Sequence, residues 1–418
     1  MGWIAIDCLE PGMTLGADFV APDGRFLLPR GTVLQERHIK VGKAWGVRQA
    51  DIEGLEQDQV DTDKAAVIGP ELLEQSRLIL EPFLRCATND HPAVREIMRI
   101  VLERTALALA AGTRPECLTE ARQPVPEFSV TRSVDAERAV ENLVQAQQDL
   151  VSLPVVYGKI MDVLESPNSS AFHIAEVVGK DSSLSAKLLK LVNSPLYAFP
   201  SRIDSIPRAV ALLGTRELSS LALGISVASA FAGIPSATLN MEQFWKHSIS
   251  TAVYASLIAG HDPVASRERC FTGGLLHDLG WLVMLGKVPD ACAQAMFLSR
   301  SQGAPLYQIE QDLLGFDHAQ VGGALCRQWR LPDNLAEMIR WHHAPDQPPI
   351  HLEPAILHLA NILATAAGGG TGGEGVLPPL CIPAWDLIGM SPGDIGPLVR
   401  QADRQIRDIL HVFLQGEG

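Results

Sequence analysis

Long apolar runs, paired cysteines and basic clusters are all missing from this 418-residue chain, and each absence excludes a class of protein. The longest uncharged stretch, Leu218 to Met241, has an apolar centre from Leu221 to Ile234 that serine and glycine interrupt and Pro235 ends. A bilayer span needs ~20 apolar residues, so this stretch reads as a buried core helix and no membrane partner is expected. The cysteines, Cys8, Cys86, Cys117, Cys270, Cys292, Cys326 and Cys381, lie far apart with no Cys-x-x-Cys pair. They read as scattered reduced thiols, which fits a cytoplasmic setting. Basic residues number 34 against 48 acidic ones, a formal net charge of −14. With no local basic stripe to offset that balance, no nucleic-acid partner is expected. The N-terminus lacks the basic and apolar regions of a signal peptide, and Ile6 breaks the myristoylation pattern after Gly2.

What remains is a globular balance, 47% hydrophobic and 20% charged, able to build a sizeable core. Its length suggests two or three domains at ~150 residues each. Residues 1–62 have strand character around Leu15, Val20 and Phe26–Leu28, a tight-turn dipeptide at Asp23-Gly24, a helix over Gln35–Ala44 and a closing strand over Val47–Ile52. They read as a small α+β module. Residues 63–112 form a helical connector of two segments. The first is cut by Pro82, and the second is capped by Asn89 or Asp90 and ends at Gly112. Residues 113–135, with Pro115, Pro124 and Pro126 and no periodicity, are a linker.

From 136 to 418 nearly everything has helical period, as over Ser183–Val192, Ile206–Leu213, Glu217–Ala232, Phe244–Ala259, Cys270–Leu285, Gln320–Trp329 and Ile395–Leu414. The fold class is mainly α: an all-helical domain after a small α+β module and a helical connector. A glycine-rich loop at 366–378 precedes the C-terminal helix. Its formal Gly-x-Gly-x-x-Gly (Gly370, Gly372, Gly375) follows a helix and leads into Val-Leu-Pro-Pro, so the dinucleotide-binding context is missing.

The chemistry concentrates between 245 and 361. Trp245-Lys-His247-Ser, Gly274-Leu-Leu-His277-Asp278-Leu-Gly280, Asp317-His318, Trp341-His342-His343 and His358-Leu-Ala-Asn361 follow one another. Imidazoles and carboxylates converging from several helices are a route to a Zn, Fe or Mn site. Each piece has a plainer alternative. His247 alone reads as an ordinary partly buried histidine, His277-Asp278 as an ion pair between helices, and His342-His343 as a polar helix end.

Leu153-Pro154, Asp181-Ser-Ser-Leu184, Lys187-Leu-Leu189, Asn193-Ser194-Pro195, Leu212-Leu213-Gly214 and the His277-Asp278 segment together resemble the HDOD family of bacterial signalling proteins. That family is a degenerate branch of the HD phosphohydrolase superfamily, and the resemblance runs from about 140 to 365. A shorter likeness, from Leu9-Glu-Pro-Gly-Met13 to Gly46-Val47, is to the module preceding some HD-GYP phosphodiesterases.

The resemblance implies an H…HD…D metal pattern carried by His247, His277 and Asp278, with Asn361 where the last aspartate belongs. His318, His342 and His343 are similar to further metal histidines of HD-GYP enzymes. Asn361 can offer a carbonyl oxygen but no charge. Trp281 stands where those enzymes have a lysine, and Ala344-Pro-Asp-Gln-Pro-Pro349 replaces the Gly-Tyr-Pro motif. The expectation is therefore a non-catalytic regulatory protein acting through protein or ligand binding, with signalling proteins as partners and a nucleotide as a candidate ligand. The alternative is a metal-dependent phosphohydrolase or phosphodiesterase on a nucleotide or cyclic dinucleotide, in which Lys246, Arg327 or Arg340 replaces the missing lysine. Asn193-Ser194-Pro195 reads either as a helix cap or as a partner-contact loop.

Overall fold

The structure, a computed structural model, describes residues 2–6, 9, 11–20, 26–44, 47, 49–52, 69–87, 89–113, 132–145, 155–166, 171–197, 199, 201–231, 239–347, 351–368 and 375–414. The Asp23-Gly24 turn, most of the 113–135 linker and the centre of the glycine-rich loop lie outside the described residues. The chain divides into two compact units, residues 1–76 with 198–201, and residues 77–197 with 202–418.

In the first unit β1 (Gly2–Ala5) pairs antiparallel with β4 (Gln49–Ile52), in a register that sets Gly2 opposite Ile52. A second ribbon joins β2 (Phe19–Val20) to β3 (Phe26–Leu28), and α1 (Glu36–Ala44) follows it. Ile6, Leu9, Leu15, Phe19, Leu34, Ile39, Val47 and Ala50 form the core. The first strand has no counterpart in the sequence reading.

The second unit is helical. After α2 (Pro70–Leu80), which begins in the first unit and stops ahead of Pro82 as expected, come α3 (Pro92–Ala110), α4 (Ala136–Gln145), α5 (Val155–Glu165) and α6 (Ala171–Gly179). The cap of α3 is His91, whose ring accepts from the Ala93 N–H, and not Asn89 or Asp90; Asn89 instead accepts from His91 N–H one step earlier. Then follow α7 (Ser182–Val192), α8 (Ile206–Leu213), α9 (Thr215–Phe231) and α10 (Met241–Ala259). Asp181 caps α7 by accepting from Leu184 N–H, as its sequence position suggests.

Next come α11 (Arg267–Leu276), α12 (Leu279–Lys287), α13 (Pro289–Gln302), α14 (Leu306–Leu314), α15 (His318–Gln328) and α16 (Asp333–Arg340). The chain closes with α17 (Leu352–Ala366), α18 (Ile382–Ile388) and α19 (Ile395–Leu414). Among the described residues no helix is long and apolar enough to cross a membrane.

Helix α10 is the axis: it is buried on every side from His247 to Ala259, and α11, α17 and α19 pack around it. Helices α12, α15, α16 and α17 continue the ring, each packed on the next. Helix α3 packs on α17 and α19. The single helix expected over Cys270–Leu285 is two. The chain breaks at His277-Asp278, where Asp278 takes φ −97° and ψ 8°, so α12 leaves in a new direction. No proline marks that break, and Asp278 makes no cap bond to α12.

Candidate metal centre

The break aims one carboxylate at four imidazoles. Asp278 Oδ2 lies 3.1 Å from His277 Nε2 and 3.8 Å from His247 Nε2. Its Oδ1 lies 3.4 Å from His318 Nε2 and 3.9 Å from His342 Nε2. Each histidine comes from a different place: His247 from the first turns of α10, His277 from the end of α11, His318 from the first residue of α15, and His342 just past α16. His343 completes the group, its Nε2 2.8 Å from His318 Nε2. Two sets of potential ligand atoms result, His247–His277–Asp278 and His318–His342–His343, each within 4.8 Å of one another.

Close helix contact makes this convergence feasible. A Cβ on Gly274 would stand 2.5 Å from the Ala252 Cα of α10, and one on Gly280 would stand 2.0 Å from the His318 carbonyl oxygen. The glycines flanking His277-Asp278 thus let α11 and α12 touch backbone to backbone with α10 and α15. All these groups are buried, His277 and His342 completely, with His343 half-buried.

Hydrogen bonding fixes which nitrogen faces inward. His277 Nδ1 sits 2.8 Å from Gly274 O and His342 Nδ1 2.7 Å from Ile339 O. A carbonyl only accepts, so both Nδ1 atoms carry protons and Nε2 is the nitrogen that each ring turns to the centre. Those Nε2 atoms, like Asn361 Oδ1, are buried without a hydrogen-bond partner. Carbonyl-anchored imidazoles with an idle second nitrogen are the arrangement that metal-ligating histidines show. The donor set therefore fits a divalent ion.

Electrostatics agree. Burial raises the Asp278 carboxyl, but His277 and His318 outweigh it and hold the group well below the usual carboxylate range. Burial disfavours charge on His318, yet Glu310 and Asp278 carry its pKa well above normal. Burial, with the neighbouring imidazoles, holds His342 and His343 well below normal. His318 is thus the charged member and donates from Nε2 to His343 Nε2, the place where a cation would relieve the crowding of two nitrogens.

Asn361, from α17, lines the same small cavity as His247, Asp278, Trp281, Leu306, His318 and His343. The cavity is small, with room at its centre for a water-sized sphere. None of its lining side chains is Lys or Arg. Two of the three candidate replacements for the missing lysine are engaged elsewhere: Arg327 pairs with Glu337 at 2.7 Å and Arg340 lies over the Trp341 ring.

Sequence reasoning missed two contributors. Glu310, wholly buried in α14, accepts from His318 Nδ1 at 2.7 Å and from His318 N–H at 2.9 Å. Tyr307 stacks on His343 with ring centres 4.3 Å apart. The signal for Glu310 was present: it shares the apolar face of α14 with Leu306, Ile309 and Leu314, where an exposed carboxylate has no reason to be. Asn193 ties the end of α7 to the loop after it. Its side-chain amide donates to Leu189 O and Ile203 O and accepts from Ile203 N–H, each at 2.7 Å.

Residues 150–345 match the model of the HDOD domain. That segment of the chain carries an HDOD domain. An HDOD-domain protein of unknown function from Geobacter sulfurreducens is similar to it, with 26% identity, 66% of this chain and 97% of that chain covered, and a TM-score of 0.51. A candidate signal-transduction protein from Marinobacter aquaeolei VT8 shares the fold at 20% identity and a TM-score of 0.51, over 75% of this chain and 73% of that one. An uncharacterised protein of Treponema pallidum (strain Nichols) is 24% identical over 58% of this chain, and the match spans 48% of that relative's own length.

Proposed function

We propose that this protein is a non-catalytic regulator whose HDOD domain keeps the metal centre of the HD superfamily as a binding and organising element, with signalling proteins as its partners. The observation that carries the reading is the cavity itself. His247, His318, His343 and Asp278 line a small pocket together with Trp281, Leu306 and Asn361, and no Lys or Arg side chain lines it. The donor set suits an ion, while the pocket offers a phosphate ester no cationic side chain. Charge developing on a phosphoryl group in hydrolysis needs a cation to meet it.

His247, His277, Asp278, His318, His342 and His343 would hold one or two ions, with Asn361 offering its carbonyl oxygen; Zn, Fe and Mn suit an imidazole-carboxylate set. A bound ion supplies a Lewis acid and a cross-link among α10, α11, α15 and the segment after α16. Asp278 faces both histidine sets, one oxygen to each, and Nδ1 bonds to backbone carbonyls keep His277 and His342 from rotating.

The alternative, a metal-dependent phosphohydrolase or phosphodiesterase, is favoured by the near-complete ligand set. One experiment separates them: metal analysis of protein purified without a chelating tag, followed by turnover assays on cyclic dinucleotides and a generic phosphodiester. The expected result is about one or two ions per chain, loss of metal in His277→Ala, and no turnover. Turnover that a chelator abolishes would establish the enzyme.

A further inference from the structure

Glu310 is the one wholly buried carboxylate among the described residues that faces the histidine cluster from behind. It lies eight residues before His318, on α14, and Oε2 receives both His318 donors, the ring Nδ1–H and the backbone N–H. Its other oxygen, Oε1, is buried without a hydrogen-bond partner. The backbone bond alone has a structural reading, because it satisfies an open N–H at the start of α15. That helix, however, already has its own cap: Asp317 and Gln320 form a reciprocal capping box. The ring bond is what the capping account leaves unexplained.

Its consequence is specific. With Nδ1–H committed to Glu310, His318 can turn only Nε2 toward Asp278 and His343, which is the direction the centre requires. The charge count points the same way. Asp278 is the only carboxylate within the two ligand sets, and a neutral amide, Asn361, lines the cavity where a fourth charged ligand is absent. A carboxylate hydrogen-bonded behind an imidazole raises that ring's donor strength toward a cation.

We propose that Glu310 is a positioning residue of the metal centre: acting through His318, it locks the ring with Nε2 inward and supplies from one residue further out the negative charge that Asn361 does not. This rests on the metal-binding reading above. The test is calorimetric titration of the full-length chain with Zn²⁺, and separately with Mn²⁺, for the wild type, Glu310→Gln and Glu310→Leu, with helicity followed by circular dichroism. Gln keeps an oxygen that both His318 donors can reach but removes the charge. Removing an outer partner of a ligand typically weakens metal binding 10–100-fold, so Gln is expected to lose about tenfold or more with helicity unchanged, and Leu at least as much. A Co²⁺ absorption spectrum that shifts in the Gln variant would show the changed His318 ligand directly. Zn²⁺ affinity and Co²⁺ spectrum of the Gln variant equal to wild type would overturn the proposal and reduce Glu310 to a helix cap. A wild type that binds neither Zn²⁺ nor Mn²⁺ would sink the metal reading first, and Glu310's role with it. Should Leu fail to fold, the comparison of Gln with wild type decides alone.

Discussion

His358 stands outside the converging group, yet both of its ring nitrogens are committed. Nδ1–H donates to His342 O at 2.8 Å and Nε2 accepts from Cys381 N–H at 3.0 Å, so the ring must be neutral to make both bonds. Burial accordingly lowers its pKa to about 4. The sign follows directly. The unfolded histidine takes its proton near ~6.5, before the folded one does, so His358 stabilises the fold above that pH and the contribution is lost as pH falls toward 4. A gap of that size corresponds to roughly 3 kcal/mol. His342 and His343 carry the same sign, whereas His318, raised by Glu310 and Asp278, stabilises the fold at lower pH and loses that contribution as pH rises. Urea titrations of the metal-free protein between pH 7 and 4 should show falling stability. In His358→Gln, whose amide can donate to one partner and accept from the other without titrating, the slope should flatten by about that amount. An unchanged slope would mean that His358 does not titrate with folding.

Between elements, backbone contact sets the geometry where α12 meets α15. Gly280 of α12 lies against the His318 carbonyl and the Gly322 N–H of α15, where an added Cβ would come within 2.0 and 2.5 Å of rigid backbone. Gly280→Ala must push α12 and α15 apart. Overpacking of this kind costs about 1–3 kcal/mol, and the displacement also moves Asp278 relative to His318. Both a lower urea midpoint and weakened metal uptake are expected; full uptake at a lower midpoint would show that the centre tolerates the shift. Asn193→Ala should cost about 2–3 kcal/mol, since it orphans the N–H and C=O of Ile203 and one bond to Leu189 O. This scale also marks how far the sequence could be read. Helical period located α8, α10 and α15 within a few residues, because one-sided or all-round burial leaves a periodic trace. The break at His277-Asp278 left none, since both flanks are equally apolar and the turn is enforced by partners distant in sequence. The H…HD pattern named the inner residues for the same reason that Glu310 escaped notice: a ligand's residue type is informative by itself, while a supporting carboxylate is recognisable only from what lies next to it.

At the scale of the whole chain, the two units carry separate cores. The first is built on Leu15, Phe19, Leu34 and their neighbours, and the second on the helices around α10. Each core excludes water by itself, so calorimetry should resolve two unfolding transitions. The metal ligands all belong to the second unit. An ion that binds only the folded form stabilises by RT ln(1 + [L]/Kd), about 2.7 kcal/mol at a hundredfold excess over Kd. For a unit of this size that is a rise of roughly 4 °C, and it should appear in the transition of the helical unit alone. His277→Ala removes one imidazole that contacts Asp278 and should abolish the Zn²⁺-dependent shift while leaving two metal-free transitions in place. A shift of both transitions together would show that the units unfold as one and that the ion's influence reaches the N-terminal module. A shift that survives in His277→Ala would place the bound ion somewhere other than the Asp278 cluster. The first of these outcomes bears directly on regulation, because a metal that stabilised both units would give this HDOD domain a physical means of passing its occupancy to the rest of the chain.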